Sequence, residues 1–298
     1  MSIPFVRNFE FEYGKAEQLS PLITRVVANN PGPFTYTGTG VFIIGTDTVA
    51  VIDPGPKTPD HIKALDTALE GKTVSHVLVT HHHIDHSPLA GPLAAKHGCK
   101  VYGYGQQPQR PDGGEVRMEA GDDLSFKPDV EIRSGHMFKG KDWTLEAIHT
   151  PGHTSNHMCY ALDEENTLFS GDHIMGWSTS VVSPPDGNMG DYLRGLELIK
   201  DRKFKCIRPT HGPEITQTAE FVQAYIDHRY EREDQICAAL QKGLSNIRDI
   251  VIEIYTHIDK RLHPAAALSV LAHLIHMHET GRIKCQGDLT LKGEYALA

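Results

Sequence analysis

The chain has 298 residues, 39% of them hydrophobic and 22% charged: long enough for one large domain or a large and a small one, and too mixed for disorder or low complexity. Its formal net charge of −9 repels polyanions unless basic residues cluster, which argues against a dedicated nucleic-acid binder. Five cysteines, Cys99, Cys159, Cys206, Cys237 and Cys285, stand far apart without a CxxC pair and disfavour both a disulfide framework and a structural zinc knuckle. The first residues, MSIPFVRNFEFEYGK, lack the basic start and apolar run of a secretory signal, and no stretch is long and apolar enough to span a bilayer. The expectation is a cytoplasmic protein that does not enter a membrane.

In chain order, residues 41–44 and 49–52 are short β-branched runs on either side of Gly45-Thr46-Asp47-Thr48, a strand-turn-strand signal ending at Asp53-Pro54-Gly55. Thr58 stands as an N-cap before Pro59, and apolar positions through Leu69 predict a helix stopped by Gly71. Residues 73–79 predict a buried strand, and Ser87-Pro88 opens a helix running to His97. Between them THHHIDH, residues 80–86, falls on a loop at the C-terminal end of a strand, where α/β proteins commonly carry functional residues. Residues 143–148 predict a strand before HTPGHT, and 158–162 and 167–169 flank the polar turn 163–166 as a hairpin. A helix over about 191–202 leads to a strand at 206–208 and then to Pro209-Thr210-His211-Gly212-Pro213. From Thr216 the pattern turns helical, with helices at 219–240, 247–255 and 265–278 and a short hairpin of 283–285 and 289–291. Three helices and a two-stranded wing suggest a winged-helix module, so the chain divides into residues 1–215 and 216–298.

Histidine is the compositional outlier at 19 residues, and its placement carries the chemistry. His81 and His83, two apart on one loop, can converge on one ion, while neighbouring Asp85 and His86 can turn toward a second. His153, Asp172 and His211 each follow a strand within a small-residue turn (TPGHT, SGDH, THGP) that allows close approach to an ion. Imidazole and carboxylate without thiolate is the donor set of catalytic rather than structural zinc.

These ordered motifs resemble the metallo-β-lactamase-fold superfamily over about residues 30–215. The resemblance implies an α/β architecture, a four-layer αββα sandwich with metals between the upper ends of two sheets, followed by a helical, winged-helix-like domain. Carried over by position, it implies that His81, His83 and His153 hold one ion and Asp85, His86 and His211 the other. Asp172 would bridge them, and Asp53 of VIDPG would orient ligands. Superfamily β-lactamases use Cys where this chain has Asp172, and redox-active di-iron relatives carry Glu where it has His83. Antibiotic hydrolysis and oxygen reduction are thereby disfavoured, and hydrolysis remains. A metallo domain followed by a tail holding SVLAHLIHMHETGRI resembles the β-lactamase-like protein 2 branch, which includes a single-strand-specific endoribonuclease.

The expected cofactors are two divalent ions, zinc first, with manganese or iron as alternatives. Such a pair lowers the pKa of a shared water toward about 7 and presents a bridging hydroxide to a carbonyl or phosphorus. Asp85 is placed to take the water's proton, and His157, four residues after His153, is a candidate proton donor or substrate contact. The leading expectation is a hydrolase of a small ester, thioester, lactone or amide. An endoribonuclease acting on single-stranded RNA is the alternative, and a regulatory winged-helix protein with a metal- or ligand-sensing metallo domain is the third reading. Residues 216–298 hold 9 Lys plus Arg against 11 Asp plus Glu, a net of −2, so duplex DNA is not an expected partner and the tail is structural, substrate-covering or homodimer-forming. Residues 177–188, WSTSVVSPPDGN, are expected to lie over the site. His82, His149 and His173 should point away from it, and His273, His276 and His278 should occupy a solvated helix face.

Overall fold

The computed structural model describes residues 3–105, 121–256 and 259–298. Its first sheet takes β1 (Ala16–Gln18), β2 (Ile23–Val27), β3 (Gly40–Ile44), β4 (Thr48–Ile52), β5 (Thr73–Leu78), β6 (Lys100–Gly103) and β7 (Val130–Glu131) in sequential order. The first four pair antiparallel and the rest parallel, with α1 (Pro59–Ala68) and α2 (Ala90–His97) as the crossovers between β4, β5 and β6. The second sheet runs β12-β11-β10-β9-β8, built from β8 (Met137–Lys139), β9 (Thr144–His149), β10 (Met158–Leu162), β11 (Thr167–Gly171) and β12 (Cys206–Pro209). Helix α3 (Met189–Arg202) makes the crossover that leaves β11 and β12 parallel.

Alternation along the strands generates four layers. Val41 and Ile43 of β3 face a core with Leu65 of α1 and Leu93 of α2, while Phe42 and Ile44 face the opposite sheet and meet Tyr160 and Phe169. The Phe42 and Phe169 rings lie 4.9 Å apart across that middle layer. In β10, Cys159 and Ala161 turn the other way, onto Leu193 and Leu196 of α3. Central strands buried on both faces read as unbroken apolar runs, which is why the sequence marks β3, β4 and β10 closely. Short or polar strands such as β1, with every residue exposed, carry no such mark.

The C-terminal part comprises α4 (Thr218–Gln241), α5 (Ile247–Ile254), α6 (His263–Glu279), β13 (Ile283–Gln286) and β14 (Glu294–Leu297). The first half of α4 lies in the core of α3, through Phe221, Val222 and Tyr225, and its second half lies with α5 and α6, through Ile236 and Leu240. Two expectations change. The second wing strand is Glu294–Leu297, pairing Ile283 with Leu297, and residues 289–291 belong to the turn, closed by Gly293 N–H donating to the Thr290 carbonyl. Nor do the α6 histidines form a solvated face. His273 is fully buried, and His273 and His276 set Nδ1 at 3.4 and 2.8 Å from Oε1 of Glu233, a buried carboxylate on α4 that Arg282 also pairs. Only His278 is exposed. The partner that buries the pair lies 40 residues upstream, beyond helix periodicity.

Candidate metal centre

The segments following β4, β5, β9, β11 and β12 meet at one edge of the sandwich, and each brings a polar side chain. Asp53 follows β4 in a left-handed conformation (φ 48°) that aspartate tolerates better than branched residues. It is fully buried; Oδ1 accepts from the Thr80 N–H at 2.7 Å, and Oδ2 accepts from Thr80 Oγ1 at 2.7 Å, His86 Nδ1 at 2.8 Å and Thr210 Oγ1 at 3.2 Å. One carboxylate thus ties the β5 loop to the β12 loop.

The partners around these rings favour particular imidazole tautomers. Thr80 Oγ1 gives its proton to Asp53, so at 2.9 Å it accepts from His81 Nδ1, leaving His81 Nε2 with a lone pair. His86 donates Nδ1–H to Asp53, His153 donates its Nδ1–H to the Val181 carbonyl at 2.7 Å, and His211 donates its own to the Gly38 carbonyl at 3.0 Å. His83 turns Nε2 toward Asp122 Oδ1, 3.6 Å away, and Nδ1 toward His81 Nε2 at 2.8 Å. A proton on either nitrogen makes this contact a hydrogen bond that an ion between the two rings would replace, and orienting the far nitrogen of each ring, as in His81, His86, His153 and His211, is how proteins prepare imidazole ligands.

Seven of the side chains fall into two groups whose donor atoms lie within 4.8 Å of one another, His81, His83, His153 and Asp172, and Asp85, His86 and His211, while His82, His83 and Asp122 form a third, overlapping group. Asp172 reaches both, with Oδ2 3.8 Å from His153 Nε2 and Oδ1 3.6 and 3.5 Å from the Nε2 atoms of His86 and His211. Asp85 Oδ2 sits 3.1 Å from His211 Nε2. Asp85 Oδ1, Asp172 Oδ1 and His86 Nε2 are buried without a hydrogen-bond partner among the described residues, as atoms reserved for an ion are.

The electrostatics agree. Burial, and then the neighbouring His86, His83 and His153, push the His81 imidazole well below its ordinary pKa, so this cluster resists further protons. Burial alone would lower His211 too, but the Asp172 and Asp85 carboxylates outweigh it and push it up to about 10, and the same carboxylates with Asp53 raise His86. Burial opposes the charge of Asp85 and Asp172, yet His86 and His211 hold both below the usual carboxylate range. The raised imidazoles and lowered carboxylates mark a buried place that stabilises positive charge. The donor set and its charge therefore fit two divalent cations, without identifying the metal.

His157 occupies a different place from that expected of a proton donor. It is fully buried, with Nδ1 2.9 Å from Thr150 Oγ1 and Nε2 accepting the backbone N–H of Asp172 at 3.1 Å, so both nitrogens are committed inside the fold. A Cβ on Gly171 (φ 53°) would come within 2.6 Å of that Nε2, which explains the glycine in SGDH. A register shift between Phe169 and Gly171 aims Asp172 inward. His82, His149 and His173 pack away from the two groups. His82 reaches Asn156 and Asp122, His149 stacks on Tyr104, and buried His173 lies against Tyr192.

Above the two groups is a cavity of about 130 Å³, lined by His83, Asp85, His153 and Asp172 and walled by Pro33, Phe34, Met175, Trp177 and Val181 with Ser178 and Thr179. Trp177 stacks on Tyr36 at 4.8 Å and 14°. Of the stretch 177–188 expected over the donors, Trp177, Ser178, Thr179 and Val181 line this cavity, together with Met175, whereas Val182 turns into the core. Sequence reading passed over Thr80, Asp122, and the Gly38 and Val181 carbonyls that orient imidazoles. Backbone carbonyls have no sequence signature, whereas Asp122, in a GDD run, carried a weak one.

The model of the metallo-beta-lactamase superfamily matches residues 36–211, and that of the beta-lactamase associated winged helix domain matches residues 247–292. A β-lactamase-like protein 2 homolog of Drosophila melanogaster is 31% identical over 278 residues, covering 90% of this chain and 91% of that one. The Caenorhabditis elegans homolog of the same name is 34% identical over 234 residues, covering 76% and 73%. An atrochrysone carboxyl ACP thioesterase of Cryptosporiopsis is 32% identical over 236 residues, covering 78% and 67%. A metallo-β-lactamase family protein of Thermus thermophilus superposes with TM-score 0.74 at 19% identity, covering 94% of this chain and all of that one; at such identity the likeness speaks for the fold alone. With its ordered His/Asp groups at the sheet edge and both domain matches in sequence, the chain belongs to the metallo-β-lactamase superfamily of hydrolases, in the branch that joins this fold to a C-terminal winged helix.

Proposed function

We propose that the chain is a two-metal hydrolase of small, uncharged acyl compounds, with thioesters as the favoured class among esters, thioesters, lactones and amides. The observation that carries the proposal is Asp172, set between two imidazole-rich donor groups on the floor of one cavity. In this reading His81, His83 and His153 hold one ion, Asp85, His86 and His211 hold the other, Asp172 reaches both, and Asp53 and His157 keep these groups in position. Donors without thiolate suit zinc, which is the ion to load first. When bound, two such ions supply Lewis acidity for the acyl carbonyl and acidify water at the site.

The chain's own residues do the rest. Asp85 lines the cavity with Oδ1 free of hydrogen bonds, so it takes the proton that water loses on attacking the carbonyl carbon and passes it to the departing thiolate or alkoxide. The wall of Pro33, Phe34, Met175, Trp177 and Val181 takes the acyl portion. Among the described residues lining the cavity there is no Lys or Arg, so a phosphodiester chain would find no cationic partner beyond the ions themselves. This favours a small acyl substrate over single-stranded RNA, and the relatives named ACP thioesterases favour a thioester within that class. We further propose residues 1–215 as the catalytic unit and 216–298 as a supporting one.

The test is a substrate panel run on zinc-loaded wild type and on Asp172→Ala: a short acyl thioester, p-nitrophenyl esters, a lactone, a β-lactam and single-stranded RNA. The expected result is thioester or ester hydrolysis that Asp172→Ala abolishes. Cleavage of RNA alone would replace the substrate assignment, and equal inactivity of both proteins on every substrate would end the catalytic reading.

A further inference from the structure

Helix α4 grips the cavity wall from behind at successive points. The Tyr225 hydroxyl accepts the Met175 N–H at 3.1 Å and lies against the carbonyls of Met175, 2.6 Å away, and Ser178. One turn further, Arg229 Nη2 donates to the Ser180 carbonyl at 2.6 Å. The next residue, Val181, supplies the carbonyl that receives His153 Nδ1–H. From the other side, the hydroxyls of Ser180 and Tyr192 donate to the His173 carbonyl at 2.9 and 2.7 Å. The stretch that walls the cavity and orients His153 is thus held by Tyr225 and Arg229 of α4, with the Val6 N–H donating to the Gly176 carbonyl.

Arg229 is an expensive way to hold it. The residue is 4% exposed, no carboxylate among the described residues lies within 4.0 Å of it, and its Nε has no partner. Its charge is met by the Tyr192 ring, 4.9 Å from the centroid, and by the Ser180 carbonyl. Burying a cation without a counter-ion costs more than packing an apolar side chain of similar volume, so stability alone does not account for an arginine here.

We propose that Arg229 is a positioning residue for the ion assigned to His81, His83 and His153: through Ser180 and Val181 it sets the carbonyl that orients His153, while Tyr225 fixes the wall at Met175 and Ser178. Four residues beyond Arg229, Glu233 is enclosed by His273, His276 and Arg282, so the C-terminal elements anchor the same helix. The winged-helix part thereby acts on the metal site without touching it. The inference rests on the two-ion reading above.

The test compares full-length wild type, Arg229→Gln, Arg229→Lys and Tyr225→Phe. Far-UV circular dichroism and thermal unfolding of the metal-free chains establish folding, and zinc competition against a chromophoric chelator reads the two affinities. Arg229→Gln should weaken one ion by about 10–100-fold and leave the other unchanged. Arg229→Lys, which still donates to the Ser180 carbonyl, should recover most of that loss. In a His153→Ala background, Arg229→Gln should weaken metal binding no further. Tyr225→Phe should raise KM with kcat and both ions retained. The inference is overturned if Arg229→Gln holds both ions as tightly as wild type, or if it weakens both equally whether or not His153 is present. Should Arg229→Gln not fold, Arg229→Lys in the same cycle decides by the same criteria. Wild type that takes up no zinc overturns the two-ion reading itself; wild type that binds two ions while the variants bind as well overturns this inference alone.

Discussion

Replacing Asp53 with asparagine keeps the side chain's shape while removing its charge and one acceptor. Four donors converge on the carboxylate, the Thr80 N–H on Oδ1 and Thr80 Oγ1, Thr210 Oγ1 and His86 Nδ1 on Oδ2. An amide placing its NH2 on the Oδ2 side forces His86 to accept at Nδ1 and carry its proton on Nε2, the nitrogen aimed at Asp85 and Asp172. Placing it on the Oδ1 side sets it against the Thr80 N–H, which cannot turn away. The second arrangement is the milder, losing one hydrogen bond to a charged acceptor and leaving a buried N–H unpaired, together about 3 kcal/mol. Urea unfolding of the chelator-treated chain should show that loss, and zinc competition should show about 10–100-fold weaker binding at the group containing His86. Stability within about 0.5 kcal/mol of wild type with unchanged affinity would refute the role given to Asp53, since buried groups with such partners do not lose them free of cost.

Gly171→Ala should push His157 away from the Asp172 N–H and lower zinc retained after dialysis, because the added Cβ falls 2.6 Å from His157 Nε2; full retention would contradict the positioning role of His157. Trp177→Ala removes an aromatic wall residue whose indole N–H has no hydrogen-bond partner among the described residues, so KM for an acyl thioester should rise with metal content unchanged, and an unaltered KM would take the substrate off that wall. Glu233 carries a pH signature. Burial would raise its pKa, but hydrogen bonds from His273, His276 and Arg282 hold it at about 2, below its ordinary 4.5. A carboxylate depressed on folding stabilises above its unfolded pKa and loses that contribution as pH falls through the folded one, here from about 4.5 to about 2, an effect of about 3 kcal/mol. Glu233→Gln should lower stability at neutral pH and flatten the acid limb in that window; a superimposable acid limb would show that the cluster is not the cause.

Much of this architecture can be read from the chain because its signals are local. Apolar runs lead into the segments of Asp53, His81, His153, Asp172 and His211, so these five announce themselves shortly after a strand, and β3, β4 and β10, buried on both faces, stand out by composition alone. Long-range pairings are not legible. His273 and His276 read as surface positions until Glu233 of α4 is brought against them, and Arg229 looks like an ordinary helix-surface arginine until Ser180 is folded onto it. His157 shares its motif with His153, and spacing cannot show that its second nitrogen is spent on a backbone N–H fifteen residues away. The wing strand at Glu294–Leu297 is silent for a local reason: its one buried residue, Tyr295, gives no alternation to detect.

The central claim is that two ions share Asp172, and counting ions tests it most directly. Metal-free chain titrated with zinc, with bound metal measured after removal of excess, should take up two ions per chain in wild type. His153→Ala and His211→Ala should each keep one of the two, and Asp172→Ala should weaken both. A wild-type chain that binds no zinc, or one that still holds two ions tightly when His153 and His211 are both replaced, would contradict the account.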